Sequence, residues 1–161
     1  MPRVHGENTL PGAVPLTLEQ AIKADWAFVH ETGDVNELSI ENRSTKLEVF
    51  VQAGDIVKGG QQDRVLGVDL IIPPNSGRIP IDSFCVEHGR WTPRGDERRD
   101  RFNGSTDYAP SKQMKLAART EKSQGKVWEE VSKSQDKLSV ATNSNTASNV
   151  SRSSLQLTLE N

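Results

Sequence analysis

Leu38-Ser-Ile-Glu-Asn-Arg-Ser-Thr-Lys-Leu-Glu-Val-Phe-Val-Gln52 is the stretch on which the reading of the fold turns. Leu38 and Ile40 alternate with Ser39 and Glu41. After the polar Asn42-Arg43-Ser44-Thr45 the alternation resumes, with Leu47, Val49 and Val51 set against Glu48, Phe50 and Gln52. A period of two sends successive side chains to opposite faces of a strand. Two such runs around a short polar turn predict an antiparallel hairpin.

Working outward, Trp26, Phe28 and Val29 form an aromatic, β-branched segment that ends at the turn signal Thr32-Gly33-Asp34. Arg64–Ile72 reads as a further strand, stopped by Pro73-Pro74 and Asn75-Ser76-Gly77, with Ile79–Val86 returning alongside it. Upstream, Thr17 and Gln20 have capping-box spacing, so a short helix is expected over Leu18–Ala24. Downstream, Arg94–Tyr108 is polar and lacks periodicity, and the helical pattern begins at Pro110 with Ser111 as N-cap. Gly125 is expected to break or kink that helical region. Leu155-Gln-Leu-Thr-Leu159 alternates like a strand but has no evident hairpin partner.

These elements predict an α+β fold: an antiparallel sheet or small β-sandwich, a short N-terminal helix and C-terminal helices. Residues 10–92 hold 26 of the 37 Leu, Ile, Val and Phe residues, so the core must form there. The expected organisation is one domain over 10–140, with a β-rich core at 10–92 and a helical part at 111–139. A Ser/Asn-rich tail, 141–161, is expected to be flexible.

The 161-residue chain carries 20 Lys and Arg against 22 Asp and Glu, a formal charge of -2, which removes the global basic field of a general nucleic-acid binder. No apolar run is long enough to span a membrane. One cysteine, Cys85, cannot form an internal disulfide, so a reducing, cytoplasmic location is expected.

Chemistry-bearing residues concentrate in two motifs. In Lys58-Gly-Gly-Gln-Gln-Asp-Arg64 a glycine pair lets the backbone approach a ligand or turn sharply. Lys58, Gln61, Gln62, Asp63 and Arg64 surround that pair with hydrogen-bonding groups, and arginine is the bidentate donor for an anion. The plainer reading is a hairpin turn with soluble side chains. In Phe84-Cys-Val-Glu-His-Gly-Arg-Trp91 a strand places Cys85 and Glu87 on one face and His88 on the other. Cys85 is a nucleophile if a nearby cation lowers its pKa, and otherwise a small buried hydrophobe. Paired Cys/His spacing is absent, so no structural zinc is expected. Arg90, Arg94, Arg98, Arg99 and Arg101 then face Asp96, Glu97 and Asp100 between Trp91 and Phe102, as a patch for an anion or stacked base or as a solvated loop. Nothing extends it into a stripe, which argues against duplex DNA. The nucleotide-hydrolase phosphate loop and the dinucleotide fingerprint are both missing, so no cofactor is indicated.

With these residues in view, the chain resembles a bacterial domain family named for its association with ADP-ribosylglycohydrolases and the rhodanese-phosphatase superfamily. The resemblance is carried, in order, by LTLEQAIKADW (16–26), LSIENRS (38–44), GDIVKGGQQDRVL (54–66), PIDSFCVEHGRW (80–91) and KVWEEV (126–131). It implies a role near NAD or ADP-ribose metabolism, and it implies that the two motifs share one site. The leading expectation is a phosphorylated, nucleotide-like small-molecule ligand. Lys58, Arg64 and Arg90 would meet phosphate, Gln61 and Asp63 would read hydroxyls and amides, and Trp91 would stack. An enzymatic version adds Cys85 as nucleophile, or Glu87 and Asp63 as acid and base. A protein-interaction module is the third reading. Members of the family continue further, so the chain is expected to be a fragment, a shortened member or one with a replaced C-terminus.

Overall fold

Six antiparallel strands close into a barrel around an apolar interior. The computed structural model describes residues 11–87, 92–104 and 110–141. The barrel strands are β2 (Ala27–Glu31), β3 (Glu37–Asn42), β5 (Ile56–Gly59), β6 (Arg64–Leu66), β8 (Arg78–Cys85) and β9 (Arg101–Gly104). They are joined in the order β2-β3-β8-β6-β5-β9, with β9 pairing back onto β2. A second, three-stranded sheet has the order β1-β4-β7, from β1 (Leu16–Thr17), β4 (Val49–Val51) and β7 (Leu70–Ile72). The helices are α1 (Leu18–Lys23), α2 (Lys112–Leu116) and α3 (Gln124–Ala141), with a π-helical turn, Ala117–Glu121, between the last two. The fold is therefore α+β and rich in antiparallel strand.

Burial follows the pleat. Val29, Leu38, Ile40, Val57, Leu66, Ile81 and Phe102 form the interior cluster of the barrel. Leu18, Ala21, Val49, Val51 and Ile72 join it from α1 and the small sheet. On the outer face, Val65, Phe84 and Val86 pack against Met114, Ala118, Val127 and Val131. Apolar clusters therefore pack on both faces of β6 and β8.

The helix caps follow the local sequence. The Thr17 hydroxyl accepts from Gln20 N–H at 3.2 Å, and Gln20 Oε1 accepts from Thr17 N–H at 3.0 Å. Ser111 Oγ accepts from Met114 N–H at 3.1 Å. The helical break falls at Lys122, whose φ of 45° ends the π-helical turn, and Gly125 lies in the first turn of α3.

Three pairings differ from the sequence expectation. The runs around Asn42–Thr45 do not form a hairpin: β3 pairs with β2 and β8, whereas β4 pairs with β1 and β7. Asn42 makes this crossing between sheets. Its buried amide donates to the carbonyls of Leu47 and Ile72 at 2.9 and 3.2 Å, and its Oδ1 accepts from Ser44 N–H at 2.9 Å. Alternation decided which faces are buried and left the choice of partner open. Second, Arg64–Ile72 is two strands in two sheets, divided at Gly67. A Cβ on Gly67 would lie 2.9 Å from the Phe84 ring and 3.1 Å from the Ala118 carbonyl. Third, the non-periodic 94–108 stretch contains β9, the strand that closes the barrel. The alternating segment 155–159 lies outside the described residues. Among the described residues, no helix is long and apolar enough to cross a membrane.

Candidate functional site

The pairing of β6 with β8 brings the two motifs together. Arg64 is in register with Cys85, Val86 N–H donates to the Asp63 carbonyl at 3.1 Å, and Asp63 N–H donates to Glu87 Oε2 at 2.9 Å. By register, Glu31, Gly59, Arg64 and Cys85 all lie toward the barrel end opposite α1 and the small sheet. The glycine pair shapes this end. Gly59 has φ 121° and Gly60 φ 56°, and a Cβ on Gly59 would sit 2.8 Å from the Arg101 carbonyl oxygen. Only glycine takes these conformations without strain at such close approach.

Asp63 and Glu87 are held by an arginine from the loop that follows. Arg94 Nη2 lies 2.8 Å from Asp63 Oδ2, and its Nη1 lies 3.2 Å from Glu87 Oε1. Its third acidic partner, Glu97, accepts at 2.9 Å. Asp63 Oδ1 also accepts from Gly59 N–H at 3.0 Å, which ties the turn shut. Burial opposes the charge on Arg94, but the Glu97 hydrogen bond and the charges of Asp63 and Glu87 outweigh it and hold the guanidinium pKa above its usual range. The two carboxylates thus each accept a backbone N–H and an arginine N–H. That is the bonding of a clamp between the turn, the end of β8 and the following loop.

Arg64 lies inside the barrel. Leu66 is in the interior cluster, and Arg64, two positions earlier, shares its face with only 1% exposure. Its Nη1 donates to Gln62 Oε1 at 3.2 Å and to the sulfur of Cys85. Glu31 Oε1 is 3.9 Å from Nη2, an ion pair beyond hydrogen-bond length. Arg64 Nε has no hydrogen-bond partner, and neither has Ser83 Oγ. Leu66 is in register with Ser83, so these two unsatisfied groups are diagonal neighbours on adjacent strands, facing the same interior. Unsatisfied buried polar atoms are uncommon, and a pair on one face calls for a reason.

Cys85 is buried, and burial pushes its thiol pKa up while Arg64 acts in the opposite sense. The net shift is upward, so the neutral thiol dominates at neutral pH. Alkylation by iodoacetamide at pH 7 is therefore expected to run at least tenfold slower than that of free cysteine, and to reach the free rate in urea. A folded-state rate above that of free cysteine would reverse this assignment.

The remaining candidates separate. Gln61 N–H faces Glu31 Oε2 at 3.4 Å, at the rim of the Arg64 end. Lys58 is half-buried on β5, and alternation puts it on the outer face with Ile56, away from the interior face that carries Arg64. Arg90 and Trp91, like His88, lie outside the described residues. Two other arginines of the 90–102 patch, Arg98 and Arg101, are drawn into local contacts. Arg98 pairs with Asp100 at 3.0 Å, and Arg101 stacks on the Phe28 ring at 4.4 Å. Gln62 belonged to the first motif's set of hydrogen-bonding groups, whereas Glu31 and Ser83 were not singled out by any motif. Ala27, Val29 and Glu31 do share a strand face, which could have placed Glu31 inside. Among the described residues, no cluster of His, Cys, Asp and Glu is arranged to hold a metal ion.

Comparison with curated proteins and with solved structures gives no match. Among family models, the ARG and Rhodanese-Phosphatase-superfamily-associated Protein domain matches residues 3–160. The match extends beyond the 16–140 range of the motifs at both ends, and it takes in the Gly59–Arg64 turn and the Cys85–Glu87 strand end that meet at the barrel mouth. The chain belongs to the ARG and Rhodanese-Phosphatase-superfamily-associated Protein domain family.

Proposed function

We propose that the chain is a small-molecule-binding domain for a phosphorylated, nucleotide-like ligand of the ADP-ribose or NAD type, with Arg64 as the anion anchor. The observation that carries this reading is the buried Arg64 guanidinium. Its Nη1 is committed to Gln62 and Cys85, whereas Nε makes no hydrogen bond and Nη2 has only a long ion pair with Glu31. The Nε–Nη2 edge is the fork that grips two oxygens of a phosphate. Ser83 Oγ offers a second polar contact on the same interior face. Gln61 at the rim suits a sugar hydroxyl or a base amide, with Arg90 and Trp91 as further contacts on the segment after Glu87. The family's association with ADP-ribosylglycohydrolases supports the same ligand class. A reducing, cytoplasmic setting suits the single thiol.

The enzymatic version has less support. Asp63 and Glu87 are tied into the Arg94 clamp, and Cys85 is a buried thiol with a raised pKa. Binding is the function that the described geometry favours.

Thermal unfolding with ADP-ribose, NAD and AMP tests the reading. A ligand at ten times its Kd stabilises by about 1.4 kcal/mol, which raises Tm by about 3–6 °C for a domain of this size. Arg64→Lys keeps the charge but loses the fork, and is expected to weaken binding at least tenfold. Glu31→Gln removes the carboxylate that competes with the ligand for Nη2, and is expected to strengthen binding. No shift at millimolar concentration of any of the three ligands would sink the proposal.

A further inference from the structure

The outer face of the small sheet and one face of α2 line a cationic groove of about 320 Å³. On the sheet side, Phe50 and Ile71 are in register across β4 and β7, so they share the face turned away from the core residues Val49, Val51 and Ile72. Phe50 lines the groove, and Ile71, 43% exposed, continues its surface toward the outer side of β7. That side of β7 has no strand partner among the described residues. On the helical side, Lys112, Lys115, Leu116 and Arg119 recur at i, i+3, i+4 and i+7 along α2 and the π-helical turn. The opposite side of this segment, Met114, Ala117 and Ala118, is buried against the barrel. Asp69, the single acid in the lining, is already satisfied: its Oδ2 lies 2.9 Å from Arg119 Nη2, and its Oδ1 accepts from Ala53 N–H at 2.8 Å. Lys115 acts at a distance on half-buried Asp55, which accepts from Gln52 N–H at 2.9 Å. Neither Lys112 nor Lys115 has an acidic side chain within ion-pair distance among the described residues. Leu116, at 45% exposure, puts an apolar side chain beside these ammonium groups.

Exposed apolar residues rimmed by charge mark a surface that a partner covers. We propose that this groove docks an acidic, extended peptide segment of a partner protein, with its apolar side chains on Phe50, Ile71 and Leu116 and its carboxylates at Lys112 and Lys115. Charge complementarity decides the class of partner. Three cations line the groove against one acid that Arg119 already neutralises, so the groove selects an anionic occupant. The apolar walls narrow the class further. A segment that mixes Asp or Glu with Leu or Phe satisfies walls and lysines together, whereas a bare phosphate leaves Phe50 and Leu116 uncovered. The free side of β7 lets an extended segment enter without displacing a strand. No residue of the lining belongs to the Arg64 end of the barrel, so this proposal stands or falls separately from the Arg64 reading.

Fluorescence anisotropy on the full chain tests it, with a fluorescein-labelled Glu-Leu-Glu-Phe-Glu peptide and its Lys-Leu-Lys-Phe-Lys counterpart as probes. The acidic probe is expected to bind saturably below millimolar concentration, and the basic probe is not. Raising salt from about 50 to 500 mM is expected to weaken the acidic probe, because its carboxylates meet exposed cations. Lys112→Glu/Leu116→Ser changes two exposed side chains and is expected to weaken the acidic probe at least tenfold. Lys112→Glu/Lys115→Glu is expected to bind the basic probe instead, a gain that loss of folding would not produce. Inorganic phosphate and benzoate at about 10 mM are expected to leave the acidic probe bound; displacement by either would assign the groove to a small anion and overturn the proposal. Equal affinity for both probes, or acidic-probe binding unchanged in Lys112→Glu/Leu116→Ser, would overturn it as well. So would the absence of acidic-probe binding at millimolar concentration.

Discussion

Arg94→Ala is expected to destabilise the chain by about 3–5 kcal/mol, the range for removing one partner of a buried ion pair. The effect is large because of what remains behind. Asp63 and Glu87 are almost wholly buried, with side-chain exposures of 3% and 1%, and both lose an arginine N–H. Leaving two carboxylates in a low-dielectric pocket without their cation is the costly state. The same substitution frees the loop that carries Arg94 from the turn and from the end of β8. The Arg94→Ala/Asp63→Asn/Glu87→Gln variant is expected to recover much of the loss. It removes the orphaned charges, and an amide oxygen still accepts from Gly59 N–H and Asp63 N–H. Urea unfolding of the single and triple variants measures both. A loss below 1 kcal/mol for Arg94→Ala would mean that solvent replaces the guanidinium and that the clamp is not structural.

Phe102→Ala is expected to cost a similar amount, about 3–5 kcal/mol, through lost burial and the cavity left behind. Phe102 is 1% exposed and lies in the interior cluster. It is in register with Val29 on β2 and with Gly59 on β5, so it sits at the seam that closes the barrel. Its ring also fills the space over Gly60, where a Cβ would overlap it. Collapse into the cavity is resisted from both sides by paired backbone, which favours the upper half of the range. Phe102→Leu keeps most of the volume and is expected to cost about 1.5 kcal/mol or less. Equilibrium unfolding decides it, together with amide exchange of Ile56–Gly59. A change below 1 kcal/mol would show that β9 adds little to closure.

These two residues also mark the boundary of what could be read beforehand. Phe102 stands alone among polar neighbours, so no period of two appears in Arg101–Gly104. The strand exists because two edges of the barrel need a partner there. Arg94 read as one charge in a solvated cluster, and its three acidic partners converge on it from three segments of the chain. By contrast, the Thr17–Gln20 capping box and the Ser111 cap involve residues three apart, and both formed where the spacing placed them.

The candidate site divides in the same way. Asp63, Arg64, Cys85 and Glu87 were recognisable as chemistry-bearing residues within two motifs, and β6–β8 pairing brings those motifs into contact. Their assignments within the contact followed from the pleat. Arg64 turns inward and Lys58 outward, because side-chain direction reverses at every residue and depends on which face the barrel encloses. Glu31 reaches Arg64 only through the closure of β2 against β9 and of β9 against β5.

Local order, then, was written along the chain: helix caps, buried faces, turn glycines and the α+β composition all depend on neighbours within a few residues. The partners of each strand, the closed barrel, the Asn42 crossing and the Arg94 clamp were decided in three dimensions. The physical reason is range. Alternation and capping are settled by contacts that cost little chain entropy, whereas closing β9 onto β2 joins residues more than seventy apart and is stabilised only once the shared core is in place.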